Sequence, residues 1–215
     1  FILFSPDISF SNEKNNSPIN IDPNVENYNL GPNLEIFEDN TQNVTINAIK
    51  SPKYNKLFRK STESIPSFGY TDSAIWVRFN LKAEKEGIWI LEIDQAMIES
   101  IRLYIPDKNG RFIEKETGVL IPFNSREEKY RNFLFKLPLD NTQKTFYMRF
   151  EAKGYTLQLP LLLWNIESFD HKVKTENIIF GIYFGICIVM ILYNFVIFLS
   201  LKDISYLYYI MYLIV

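Results

Sequence analysis

SAIWVRFNL, residues 73–81, alternates with the two-residue period of a β-strand. Ile75, Val77, Phe79 and Leu81 point one way, and Ala74, Trp76, Arg78 and Asn80 point the other. Outward from this stretch the same kind of run recurs at close intervals. Residues 34–37 open the series, and 88–93, 100–105, 111–113, 133–137, 145–152 and 157–164 continue it. Pro106-Asp107-Lys108-Asn109-Gly110 and Asp140-Asn141-Thr142 supply turn chemistry between runs. Pro160 implies an edge position or a bulge in the last run, because proline cannot donate to a ladder. Residues 45–58 are less regular, with a single helical turn expected around Asn47-Ala48-Ile49. About eight short strands without a long amphipathic helix predict a mainly β region, an antiparallel sandwich of jelly-roll type, over residues 34–167.

Ahead of it, residues 11–33 are rich in Asn, Pro, Ser and charge, so residues 1–33 are expected to be a loosely ordered leader or linker. The chain opens Phe1-Ile2-Leu3-Phe4-Ser5, which suits either the tail of a signal peptide's apolar region or a plain chain boundary. Behind the strands, residues 178–201 read IIFGIYFGICIVMILYNFVIFLSL and carry no charged side chain. A helix of that length spans roughly 36 Å, more than the ~30 Å hydrocarbon core, and core helices of soluble proteins rarely stay apolar on every face for so long. This predicts a first transmembrane helix over 178–201, with residues 168–177 as a short connector. Lys202-Asp203 is a brief polar break, after which residues 204–215 begin a second membrane helix in a tight hairpin. Tyr183, Tyr193 and Tyr206 suit interfacial belts or a helix–helix surface. Gly181 and Gly185 form a small-xxx-small pair for helix packing, and the Asn194 amide needs a partner, from a neighbouring helix of a bundle or from backbone or water. His171, Lys172 and Lys174 precede the span and Lys202 follows it. Long preceding domains translocate largely regardless of charge, so this count leaves the orientation open.

Composition removes several function classes. A net charge of −2 without a dense basic patch gives no reason to expect nucleic acid as a partner. The lone histidine, His171, lies beside the apolar run and the lone cysteine, Cys187, inside it, so no histidine triad, Cys/His zinc site or intrachain disulfide is expected in the β region. There is no P-loop and no dinucleotide glycine fingerprint, and no metal or cofactor is expected. Glu92 and Asp94 alternate onto one face, where a solvated strand end is the plainer reading. A membrane-tethered hydrolase using paired carboxylates stays open as an alternative, as does a membrane-anchored protein-binding or adhesion module. The face opposite the apolar core carries Trp76 and Arg78, then Arg102 and Tyr104, then Tyr147 and Arg149. Rings beside guanidinium groups suit sugars or small anions, so these six are the candidate ligand residues. The competing reading has them paired with Glu on an exposed sheet or packed under a loop, with Trp76 in a second layer of core.

Residues 68–79, FGYTDSAIWVRF, resemble the type 2 extracellular domain of bacterial seven-transmembrane receptors with diverse intracellular signalling modules, 7TMR-DISM. Leu34-Glu35-Ile36-Phe37-Glu38-Asp39 resembles that family's opening strand, and Trp89-Ile90-Leu91-Glu92-Ile93 and Arg102-Leu103-Tyr104-Ile105-Pro106-Asp107 its middle. Tyr130-Arg131-Asn132-Phe133 and Leu157-Gln158-Leu159-Pro160-Leu161 resemble its last strands. Gly181-Ile182-Tyr183-Phe184-Gly185, Leu192-Tyr193-Asn194 and Lys202-Asp203-Ile204-Ser205-Tyr206-Leu207 resemble the start of its seven-helix region. The resemblance covers residues 34–215 and implies a jelly-roll sensor similar to carbohydrate-binding modules. It places that sensor on the periplasmic or extracellular side of the bacterial cytoplasmic membrane. The partners expected are the lipid bilayer around the apolar run, a small-molecule ligand such as a sugar or other small polar solute, and a second copy of the chain. In such receptors a cytoplasmic output module follows, a diguanylate cyclase, histidine kinase or phosphatase. None is present in this chain, which is not expected to be an enzyme.

Overall fold

A computed structural model describes residues 10–11, 17–107 and 109–214. The expectation for Phe1 to Ser5 lies outside the described residues. In chain order the elements are β1 (Phe10–Ser11), β2 (Ile19–Ile21), β3 (Asn27–Asn29), β4 (Glu35–Asp39), α1 (Ile46–Ile49), α2 (Pro52–Asn55), β5 (Arg59–Ser61) and β6 (Ser67–Tyr70). They continue with β7 (Ala74–Ala83), β8 (Gly87–Ile93), β9 (Ser100–Pro106), β10 (Phe112–Thr117), β11 (Phe133–Leu139), β12 (Lys144–Glu151), β13 (Thr156–Gln158) and β14 (Leu161–Asn165). Two helices end the chain, α3 (Ile166–Leu201) and α4 (Ile204–Ile214).

Among the described residues the strands form two main sheets. The larger runs β1-β5-β4-β7-β12-β9-β10, and the smaller β11-β8-β14-β3. Their pairings are antiparallel, except that β2 lies parallel to the end of β7. The alternation of residues 73–81 is the reason the sheets pack. Ile75, Val77, Phe79 and Leu81 enter one core with Phe146 and Phe150 of β12, Leu91 of β8, Phe133 and Phe135 of β11, and Leu161 and Leu163 of β14. Phe79 and Phe146 stack at its centre with ring centroids 5.5 Å apart. Each large side chain buried there stabilises the fold by roughly 1.5–3 kcal/mol. The result is the antiparallel β-sandwich expected from the strand pattern, followed by a long apolar helix.

Three local expectations change. Residues 17–33 are not a loose leader: β2 and β3 join the sheets, and Ile21 and Leu30 are fully buried. Their polar neighbours mask this in the sequence, because two anchors and a shared ladder hold them. The run 157–164 is not one strand. Its first part, β13, pairs with β6 in a separate two-stranded sheet, while β14 sits between β8 and β3 inside the smaller sheet. Pro160 falls at the switch between them, where its carbonyl accepts the Asp94 N–H at 3.1 Å and no ladder needs its missing donor. Residues 168–177 are not a separate connector, because they are helical and continuous with the apolar run. The helix starts early because the Asn165 side chain accepts the Glu167 N–H at 2.9 Å, an N-cap at the end of β14.

The chain divides after Ser168 into two compact units. In the second, α3 is long and apolar enough to cross a membrane, and its side chains stay open: Ile182 is 60 % and Val196 61 % exposed. Lys202 ends α3 in a left-handed conformation (φ 54°), its N–H donating to the Phe198 carbonyl at 2.7 Å. Asp203 then caps α4 through the Ser205 N–H at 2.9 Å, so two residues suffice to break one helix and begin another. A Cβ added at Gly181 or Gly185 would meet nothing within 4 Å. Asn194 is buried, and its amide donates to the Met190 carbonyl of its own helix at 2.8 Å.

Candidate functional site

The register of the larger sheet brings all six candidate ligand residues onto one face. Glu35, Arg78, Tyr147, Tyr104 and Glu114 form one row across β4, β7, β12, β9 and β10. Phe37, Trp76, Arg149, Arg102 and Glu116 form the next. Sequence alternation thus located the face, but not what lies on it. The segment from Asn40 to Phe58 crosses over and seals it. Val44, Ile49 and Phe58 pack with Trp76, Tyr104 and Tyr147 into a second apolar cluster. Trp76 is fully buried, and Arg78, Tyr104, Tyr147 and Arg149 are each buried as well, leaving Arg102 half-buried at the margin. An exposed ring-and-guanidinium platform is therefore not what the six residues form.

Their polar atoms are largely committed. Arg78 donates through Nε to Glu35 Oε2 at 2.6 Å and through Nη1 to Asn55, with its guanidinium 4.4 Å over the Phe58 ring. Arg149 donates to the Gln42 carbonyl at 2.9 Å and pairs with Glu151. Burial and then the neighbouring Arg102 charge hold the Arg149 guanidinium below its usual pKa. Burial first, then Glu114, pushes the Tyr104 hydroxyl up. Arg102 binds Glu116 at 3.1 Å and Glu114 at 3.7 Å. Asp39 pins the start of the cover by accepting from the Thr41 N–H, the Thr41 hydroxyl and the Val44 N–H.

The carboxylate pair on β8 also differs from expectation. Glu92 is fully buried instead of solvated: Asn132 Nδ2 donates to it at 2.8 Å and Trp164 Nε1 at 2.7 Å. Asp94 is exposed and shares the same Asn132 amide at 2.7 Å. Among the described residues no group of three or more His, Cys, Asp and Glu is placed to hold a metal ion.

A feature that strand periodicity did not reveal lies at one end of the sandwich. There a groove of about 970 Å³ runs along the ends of the two sheets. One wall is the end of the smaller sheet, with Ile88 of β8 and Pro138 and Leu139 of β11. The other is the end of the larger sheet, with Ile105 of β9, Phe112 and Ile113 of β10 and Tyr147 of β12. The β11–β12 turn, Asp140 to Gln143, crosses between them. Alternation could not reveal it, because Ile88 and Ile113 lie near the starts of their strands and their exposure depends on where the sheet ends fall.

Comparison with known proteins agrees with the layout. The family model described as 7TMR-DISM extracellular 2 matches residues 31–165, and that described as 7TM diverse intracellular signalling matches residues 176–215. No curated protein matches the chain. Among solved structures, TmCBM61 in complex with beta-1,4-galactotriose is 11 % identical, with 61 % of this chain and 87 % of that one covered, at a TM-score of 0.32. The mannan binding module from Man5C is 11 % identical over 47 % of this chain and 81 % of its own, at 0.24. The GH31 alpha-xylosidase of Xanthomonas citri is 15 % identical over 61 % of this chain and 15 % of its own, at 0.26.

Proposed function

Because the chain belongs to the 7TMR-DISM extracellular 2 family, we propose that it is the sensory, amino-terminal part of a receptor in the bacterial cytoplasmic membrane. Family membership supports membrane receptor signalling and a non-catalytic role. In this reading the sandwich stands on the periplasmic or extracellular side and binds a small polar solute, a carbohydrate being the class suggested by family resemblance. Occupancy biases a helix bundle that begins with α3, and an output module beyond this chain responds. A ligand can shift such an equilibrium only by binding one arrangement better than the other.

The observation that carries this reading is the junction at Asn165. This residue ends β14, caps α3, donates its backbone N–H to the Glu26 carbonyl at 2.9 Å and its side-chain amide to the Pro23 carbonyl at 3.0 Å. Helix α3 thus begins directly after β14, on a residue that is itself hydrogen-bonded to the segment before β3. Orientation is tested by placing a single cysteine at exposed Lys153 in a Cys187→Ser background. In intact spheroplasts a membrane-impermeant maleimide is expected to label Lys153→Cys fully. Labelling only after lysis would refute an outer sensory domain.

A further inference from the structure

Resting on the reading that the sandwich senses a small solute, the groove along the sheet ends offers that solute a place. Its volume, about 970 Å³, is at the upper end of small-molecule sites, roughly 300–1,000 Å³, and holds a molecule as large as a short peptide. Its walls expose branched aliphatic surface to water: Ile88 is 49 % and Ile113 55 % exposed, one on each side. Apolar surface left open on facing walls is what an apolar ligand body would cover.

Charge narrows the class. Lys144 is taken by Asp140 at 2.8 Å and by the Pro138 carbonyl at 3.0 Å. The Asp107 carboxylate is spent on its own turn, accepting the Asn109 and Arg111 N–H groups at 2.8 Å. Two uncommitted charges remain among the described lining residues. Lys50 lies over the Phe112 ring at 4.8 Å with no carboxylate partner, and Glu86, beside Ile88, has no basic partner. They belong to opposite walls, Lys50 to the cover over the larger sheet and Glu86 to the β7–β8 turn. Stacking platforms for a neutral sugar are scarce here, since Lys50 occupies a face of Phe112 and Tyr147 is only 8 % exposed.

We propose that this groove binds a zwitterionic solute with an apolar body, a free amino acid or short peptide bearing bulky aliphatic side chains. Its carboxylate meets Lys50, its ammonium meets Glu86, and its side chains lie between Ile88 and Ile113. The position also suits signalling. Ile88 adjoins Trp89, the cross-strand partner of Asn165, so a ligand that shifts this end of β8 acts on the residue that starts α3.

The test is isothermal titration of the full chain in detergent micelles with L-leucyl-L-leucine, alongside galactose and mannose oligosaccharides. The dipeptide is expected to bind, and Lys50→Met and Glu86→Gln are each expected to weaken it roughly tenfold or more, as loss of a charge-assisted contact does. N-acetyl-leucyl-leucine should bind wild type as weakly as the dipeptide binds Glu86→Gln, and the Glu86→Gln change should then add nothing. Both substitutions are at exposed positions, and unchanged thermal unfolding confirms that the variants remain folded. Dipeptide affinity indifferent to both substitutions overturns the groove assignment. Binding of an oligosaccharide without the dipeptide overturns the zwitterion while leaving the sensory reading intact. Binding of neither probe to the folded chain refutes the inference and counts against a small-solute sensor as well.

Discussion

Arg78 shows what a strand period can and cannot say about a residue. Alternation puts it on the face away from the main core, and the structure agrees. Its partners are out of reach of that logic. Glu35 lies on a strand 43 residues earlier, Asn55 in a one-turn helix, and Phe58 in a segment without regular period. The side chains of Arg78 and Glu35 are only 9 % and 11 % exposed, so the pair is a buried one. Removing one member leaves the other charge stranded at a cost of about 3–5 kcal/mol, whereas replacing both by apolar groups is often nearly neutral. Arg78→Met is therefore expected to lower the unfolding free energy of the sandwich by about 3–5 kcal/mol, and Glu35→Leu with Arg78→Met by much less. Denaturant titration of both variants in mild detergent measures the difference; equal losses would show that packing, not the stranded carboxylate, dominates. Trp76 marks the same limit from the other side. Its place opposite Ile75 and Val77 was legible, but the cover that makes it fully buried was not: Asp39-Asn40-Thr41 carries the same turn chemistry as Asp140-Asn141-Thr142, yet nothing in it says that the residues after it fold back over the sheet.

At the scale of elements, the strands with strong alternation were legible and the short ones were not. β7, β8, β9 and β12 bury alternate side chains in a large core, so their period survives in the sequence. β2, β3 and β5 have three residues each, too few to show a period, and their places are set by ladder bonds to neighbours. The β11–β12 turn was legible from Asp140-Asn141-Thr142, and its chemistry predicts an acid response. A hydrogen bond from Lys144, then bonds from Thr142, hold the Asp140 carboxyl well below its ordinary value of 3.8. A carboxyl depressed in the folded state contributes stability above its unfolded value, and that contribution is lost as pH falls through the folded one. The turn should thus weaken only as pH drops below 3.8, and only modestly, because the pair is partly exposed and screened by solvent. Asp140→Asn is expected to flatten that part of the acid-unfolding curve while leaving neutral-pH stability within about 1 kcal/mol. An unchanged acid slope would mean that other carboxylates control it.

For the whole molecule the decisive contrast is between two solvents. The sandwich hides most of its large apolar side chains in two clusters, whereas α3 leaves most of those in its apolar run open. That contrast was legible because charge simply disappears from residues 178–201, and an apolar run too long for a core needs lipid. Where the helix begins was not legible, since residues 166–177 mix charges that neither demand nor forbid a helix and the cap at Asn165 decides it. If lipid surrounds α3, position and not chemistry alone sets the cost of a substitution. Val189, 65 % exposed at mid-span, is a place where a lysine would face hydrocarbon at a cost of about 2.5–3.5 kcal/mol on insertion scales. Val189→Lys is expected to move a large fraction of the chain into the alkaline-carbonate supernatant of membrane fractions. Asn194→Leu is expected to leave membrane retention unchanged, because the amide it removes is already satisfied by the Met190 carbonyl of its own helix. Were α3 instead the core of a water-soluble assembly, the wild-type chain would itself appear in the supernatant, and both substitutions would be judged by aggregation alone. Retention of wild type and Asn194→Leu with release of Val189→Lys separates the two cases, since only a bilayer penalises the charge at mid-span while ignoring the loss of an amide bonded within its own helix.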